Sequence, residues 1–180
     1  GLVGSEMCIR DRGNLLEVLS VSVNPKVTGK YGAAIGGGDT GETLPNYSYT
    51  TLAFKTDISD EVSMAVIQDS PYGAHVGWTS GTVGSSYSGI NAEIKSSATT
   101  ILGSYDVADN VSVYGGLKSQ SVSATVANPL VNGYTLTTNT DSSMGYLIGA
   151  AIQNPEIAMR VALTYHAKIK HDLACLLYTS

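Results

Sequence analysis

Eight residues, Asp57-Ile58-Ser59-Asp60-Glu61-Val62-Ser63-Met64, are echoed 49 positions later by Asp106-Val107-Ala108-Asp109-Asn110-Val111-Ser112-Val113. A looser version, Gln153-Asn154-Pro155-Glu156-Ile157-Ala158-Met159, follows after nearly the same interval. Each is a short polar corner that opens into alternating apolar and small polar residues. Asp and Asn favour such corners because their side chains bond the nearby backbone. Between the corners lie stretches rich in Gly, Ser, Thr and Asn. Tight turns therefore alternate with long loops along a series of strands. A transmembrane β-barrel needs that asymmetry, with short turns on one rim and long loops on the other.

Charge and hydropathy agree with this reading. Charged residues make up 14% of the 180, against about 25% in a typical soluble domain. No apolar run approaches the roughly 18 residues of a membrane-spanning helix. The net charge of −5 argues against a nucleic-acid partner, which would favour a basic face. The two cysteines, Cys8 and Cys175, lie near the ends. The end strings GSEMCIRDR and CLLYTS resemble translated sequencing-adapter read-through. Residues 1–12 and 174–180 are therefore expected to be non-native and 13–173 to be the barrel part. That part has no cysteine, so neither a disulfide framework nor thiol chemistry is expected.

Period-two alternation marks the strands. Leu19, Val21 and Val23 alternate with Ser20, Ser22 and Asn24, and residues 47–56 form a second strand. Val62, Met64 and Val66 begin a third, which is interrupted at Ser70, Pro71, Tyr72 and Gly73 and resumes over 74–78. Ile90, Ala92 and Ile94 alternate with polar residues, after which the pattern loosens up to Tyr105. Val111, Val113, Gly115 and Leu117 oppose Ser112, Tyr114, Gly116 and Lys118. Met144, Tyr146, Ile148, Ala150 and Ile152 form the next apolar side. In the last strand Val161, Leu163, Tyr165 and Ile169 oppose Arg160, Thr164, His166, Lys168 and Lys170. The expectation is an all-β, antiparallel up-and-down meander of about seven long strands. Their apolar sides would meet lipid and their polar sides a lumen. Tyr47, Tyr49, Tyr105, Tyr114, Tyr146 and Tyr165 are candidates for an interfacial girdle. Alternation alone does not separate a barrel from a soluble β-sandwich.

These segments resemble the outer-membrane long-chain fatty-acid transporters of the FadL/TodX family. Residues 47–73, with their Pro-Tyr-Gly interruption, read like the family's second and third barrel strands. Residues 106–123 look like its fifth. Residues 144–173, containing GYLIGAAIQNPEIAMRVALTYHAKIKHDL, resemble its Gly-aromatic strand, short turn and final aromatic-basic strand. The resemblance implies part of a 14-stranded transmembrane barrel in the cell outer membrane. It also implies an N-terminal hatch whose Asn-Pro-Ala signature would precede Gly13. Asn128-Pro129-Leu130 looks like that signature but sits in a mid-chain loop.

The implied function is passage of long-chain fatty acids or other hydrophobic compounds into outer-membrane lipid. Ser70, Pro71, Tyr72 and Gly73 would form a lateral opening. Pro cannot continue a ladder and Gly permits a bend. The ordinary alternative is a strand end below an outer loop. Leu130 and Val131 would belong to a substrate-capture loop, as against an incidental apolar pair. The family's basic residue near the end of the fifth strand has no counterpart in Thr125-Val126-Ala127-Asn128, which leaves Lys118 as the candidate carboxylate contact. Solvation and pairing with Glu93 is the plainer account of the lumen cations. Asp39-Thr40-Gly41 and the glycines at 36, 38 and 41 match short motifs without the strand or βαβ context those motifs require. The three histidines lack metal-ligand spacing. No catalysis, cofactor or metal is expected. The competing readings are a non-specific porin or structural barrel, with no wall gap, and a soluble sandwich, with its apolar faces packed together.

Overall fold

A computed structural model describes residues 13–35, 37–78, 89–128, 134–157 and 159–178. Ten β-strands form one antiparallel sheet: β1 (Leu15–Val23), β2 (Tyr47–Asp57), β3 (Val62–Asp69), β4 (Gly73–Gly77), β5 (Asn91–Ala108), β6 (Val111–Asn128), β7 (Tyr134–Thr138), β8 (Asp141–Asn154), β9 (Met159–His166) and β10 (Cys175–Tyr178). Three wall strands are each built from two of these pieces. β3 and β4 both pair with β5, β7 and β8 both pair with β6, and β10 and β9 pair with β7 and β8. The meander thus has seven wall strands, as the alternation predicts, and curls into half of a barrel.

The three polar corners are the tight turns. In the first, Ser59 Oγ accepts hydrogen bonds from the backbone N–H of Glu61 and Val62, at 3.3 and 3.1 Å. In the second, the β5–β6 register shifts between Asp106 and Ala108, a bulge that tightens the local twist. In the third, the Asn154 side chain accepts from the Glu156 N–H at 3.1 Å.

Side-chain direction settles what the sheet faces. On the convex side near the turns stand Phe54, Val66, Ile101, Leu117, Ile148 and Leu163, all exposed, Leu163 to 80%. The concave side near the turns is small and polar. Its buried members include Thr51, Ala53, Lys55, Ser63, Ala65, Thr100, Ser112 and Ala151. Its largest fully buried apolar side chain is Leu147, at 1% exposure. This arrangement is the reverse of a water-soluble fold, in which the large apolar side would be covered. The sandwich alternative fails here, because among the described residues no second sheet packs on the apolar face.

Glycines let the concave layer close. Gly149 lies opposite Tyr114, and a Cβ on Gly149 would collide with the Tyr114 ring. The ring occupies the space above the glycine, and its hydroxyl meets Thr164 Oγ1 at 2.5 Å. A Cβ on Gly116 would collide with the Ile101 carbonyl and the Leu102 side chain.

The polarity reverses along the strands, which the alternation does not announce. The register keeps Leu19, Val21 and Val23 on the side of Thr51, Tyr49 and Tyr47, and Thr51 is concave and buried. The apolar side of β1 near the loops therefore points into the lumen, contrary to the expectation that it meets lipid. Ala92 and Ile94 likewise share the side of Ala98 and Thr100, opposite Val126 and Ala124. Their convex neighbours, Asn91, Glu93, Lys95 and Ser97, are polar. Near the turns the wall is greasy outside, and near the loops it is greasy inside. The girdle tyrosines divide accordingly. Tyr105, Tyr146 and Tyr165 are convex and exposed, with the last two rings 6.4 Å apart. Tyr47, Tyr49 and Tyr114 are concave.

Candidate functional site

The interruption in the third wall strand is a counted misfit. The β3–β5 ladder ends at Asp69 opposite Ala98, and the β4–β5 ladder begins at Gly73 opposite Lys95. Ser70, Pro71 and Tyr72 therefore face only Ser96 and Ser97, three residues against two, the count of a β-bulge. Pro71 has no N–H to offer a neighbouring strand. Ser96 supplies what the ladder lacks. Its Oγ accepts from the Tyr72 N–H at 2.8 Å and donates to the Tyr72 carbonyl.

The glycine has a smaller part than the sequence suggests. Gly73 is not among the positive-φ glycines and already pairs within β4. A Cβ there would touch only the Ile94 carbonyl, at an ordinary 3.9 Å. The bend belongs to residues 70–72.

The larger consequence lies on the opposite bank. β2 pairs with β3 only from Leu52 opposite Gln68 downward to the turn. Above that point β2 pairs with β1 alone, and β4 pairs with β5 alone. A gap therefore opens in the wall between the upper half of β2 and β4. Its upper end is tied by the Gly77 N–H donating to the Thr43 carbonyl at 2.9 Å. A cavity of about 810 Å³ fills the gap. Leu19, Tyr47, Tyr49 and Thr51 line one bank; Ser70, Pro71, Tyr72, Gly73 and Ala74 line the other. Asp69, Ile94 and Val122 lie at its inner side. That volume is within the usual range of small-molecule sites.

A second cavity of about 780 Å³ lies on the concave face below the first and shares Asp69, Pro71, Tyr72 and Val122 with it. Lys118, Gln120, His166, Lys168 and His171 also line it. Lys118 thus stands on the lumen side, as its place in the alternation predicts. Glu93 does not pair with the lumen cations. It is convex and bonds Lys95 at 3.0 Å, with Lys95 exposed and Glu93 partly buried.

The seventh wall strand departs from expectation beyond His166. The β8–β9 ladder stops at Leu147 opposite His166, and pairing resumes only at Cys175 opposite Thr138. Between these points the alternation inverts. A Cβ on the concave Gly145 would meet Ile169 Cγ1 at 2.6 Å, so Ile169 lies over the lumen side instead of facing lipid. His171 Nδ1 meets Asp141 Oδ2 at 3.0 Å, while Lys168 and Lys170 are exposed. Gly145 leaves the room into which Ile169 folds.

Leu130 and Val131, and with them the capture-loop expectation, lie outside the described residues. Three parts of the site were not identified from the sequence: the tyrosine bank of β2, the Ser96 clamp and Asp69. The signal for the clamp was the loosening of the alternation around Ser96 and Ser97, where one strand passes from outward to inward apolar residues. Among the described residues no group of histidines, cysteines and acids could hold a metal.

Comparison with known proteins agrees with this geometry. Among curated proteins, none matches the sequence. A solved structure, the crystal structure of a Pseudomonas aeruginosa FadL homologue, matches with a TM-score of 0.56 at 19% identity. The match covers 80% of this chain and 36% of that one, so the chain spans about a third of that protein's length. The neighbour is a 14-stranded barrel. Residues 9–175 match the profile of the outer membrane protein transport proteins (OMPP1/FadL/TodX). That match covers most of a chain folded as a barrel wall with its large apolar side chains on the convex face, and the chain belongs to the OMPP1/FadL/TodX family of outer-membrane proteins.

Proposed function

We propose that this chain forms the part of an outer-membrane transporter through which hydrophobic molecules, long-chain fatty acids among them, leave sideways into lipid. The observation that carries this reading is the gap between β2 and β4. It joins an inner face that is apolar near the loops to an outer face that is apolar near the turns. A molecule with an alkyl chain would enter past the loops and lie against Leu19, Val21, Ile94 and Val122. It would then pass between the Tyr47–Tyr49 bank and residues 70–74. No step requires the alkyl chain to contact bulk water, so the transfer free energy of its methylenes, about 0.8 kcal/mol each, never opposes movement. Leu130 and Val131 fit a role in capture on the loop side. Hydrophobic surplus in the lumen and a side exit favour this reading over a non-specific porin, whose lumen would be polar throughout.

The test restores the ladder. Deleting Ser70 and replacing Pro71 with Thr leaves two residues facing Ser96 and Ser97, which lets β3 run into β4 without a bulge. In the full-length protein reconstituted into vesicles, uptake of a labelled long-chain hydrophobic molecule should fall at least about tenfold, a barrier rise of about 1.4 kcal/mol. Uptake at the unaltered rate, in a variant that keeps a folded barrel, would sink the proposal.

A further inference from the structure

The two cavities meet at a carboxylate with an unmet hydrogen-bond acceptor. Asp69 ends β3 beside the bulge and is only 4% exposed. Its Oδ1 is buried without a hydrogen-bond partner. A buried acceptor left bare costs free energy unless something donates to it. The side chain lines both the gap and the lumen cavity beneath it, and rotation about its last torsion, which is broad, can present either oxygen. Lys118 lines the lower cavity and acts on Asp69 electrostatically. Lys95, the lysine that lines the gap, is already committed to Glu93. The charge of Asp69 is thus partly balanced, and what its Oδ1 lacks is a proton donor.

We infer that Asp69 selects, at the wall opening, hydrophobic molecules whose head is a neutral hydroxyl over those whose head is a carboxylate. The inference rests on the lateral-exit reading and narrows its substrate class. A hydroxyl donates to Oδ1 as its chain enters the gap. A carboxylate has no proton to give and meets the buried side chain of Asp69, whose charge it would repel. Burial works against the charged form of Asp69 and Lys118 works for it, and a fatty-acid carboxylate would have to compete with Asp69 for that cation.

The full-length protein in vesicles distinguishes the outcomes, with three labelled probes of one chain length: a primary alcohol, the matching carboxylate and the bare alkane. The alcohol should bind and cross about tenfold better than the carboxylate, the range expected for one hydrogen bond to a charged group. Asp69→Leu should abolish that preference, weakening the alcohol and improving the carboxylate. Asp69→Asn, close in shape, guards against misfolding: it should improve the carboxylate while costing the alcohol only a few-fold. A wild type that takes the carboxylate as well as the alcohol, or an unchanged preference in the Asn variant, would overturn the role of Asp69 while leaving lateral exit intact. If none of the three probes crosses, lateral exit itself fails and this inference falls with it.

Discussion

Ser96 and the glycines beneath Tyr114 and Ile169 show how single positions shape the wall. Ser96 satisfies both backbone groups of Tyr72 from one hydroxyl. Ser96→Ala should therefore leave two polar groups wanting and cost about 1–3 kcal/mol, read as a shift in the urea midpoint of the bilayer-inserted protein. Gly149 and Gly103 make a sharper contrast. An added methyl at Gly149 strikes the Tyr114 ring, whereas at Gly103 it meets nothing within 4 Å. Gly149→Ala should cost about 1–3 kcal/mol by overpacking. Gly103→Ala should stay within about 0.5 kcal/mol of the parent, and equal losses at both positions would contradict the packing described. At this scale the sequence was only partly readable. Pro71 announced the break through its missing N–H, and Gly73 seemed its natural partner. Yet the turn in the chain is set by a surplus residue, and a surplus can be counted only once the facing strand is known.

The strands themselves were the most legible level. Turn spacing located the three corners, and period two located seven wall strands, because a half-buried sheet imposes both on any sequence that forms it. What alternation conceals is which side is which. Leu19, Val21 and Val23 carry the same pattern as Val113 and Leu117, yet the first three look into the lumen. A strand that leaves the hydrocarbon partway along its length exchanges its two sides, and the only trace in the sequence is a loosened stretch such as 95–100. The seventh wall strand conceals a second exchange at residues 167–174, where Ile169 turns inward over Gly145. There the His171–Asp141 contact, 3.0 Å long, is one of the ties that hold the unladdered stretch. His171→Ala should speed amide exchange across residues 167–174 and leave β9 protected. Uniform protection would argue that the stretch is held by its backbone alone.

The whole molecule was legible as a barrel wall from its turn asymmetry and low charge. The opening at residues 70–73 came only through the family resemblance and not from the residues alone, since the gap depends on β2 and β4 failing to pair across residues that lie far apart in sequence. The placement of lipid can be tested by charge. Leu163→Arg puts a cation on the exposed convex face near the turns and should cost about 2–4 kcal/mol in a bilayer. Ser22→Arg, convex but near the loops, should cost little. Similar penalties at both sites would mean that hydrocarbon covers the wall to its full height. The reversal of polarity also fixes a depth. Convex apolar residues end at Leu52 and Val66, and the gap begins just above them, past Leu52 and Gln68. On the lateral-exit proposal, a passenger emerging there would arrive at the upper margin of the convex apolar band and not in its middle. The descent into the leaflet would then be left to the lipid, and the protein would need only to release its cargo at that margin.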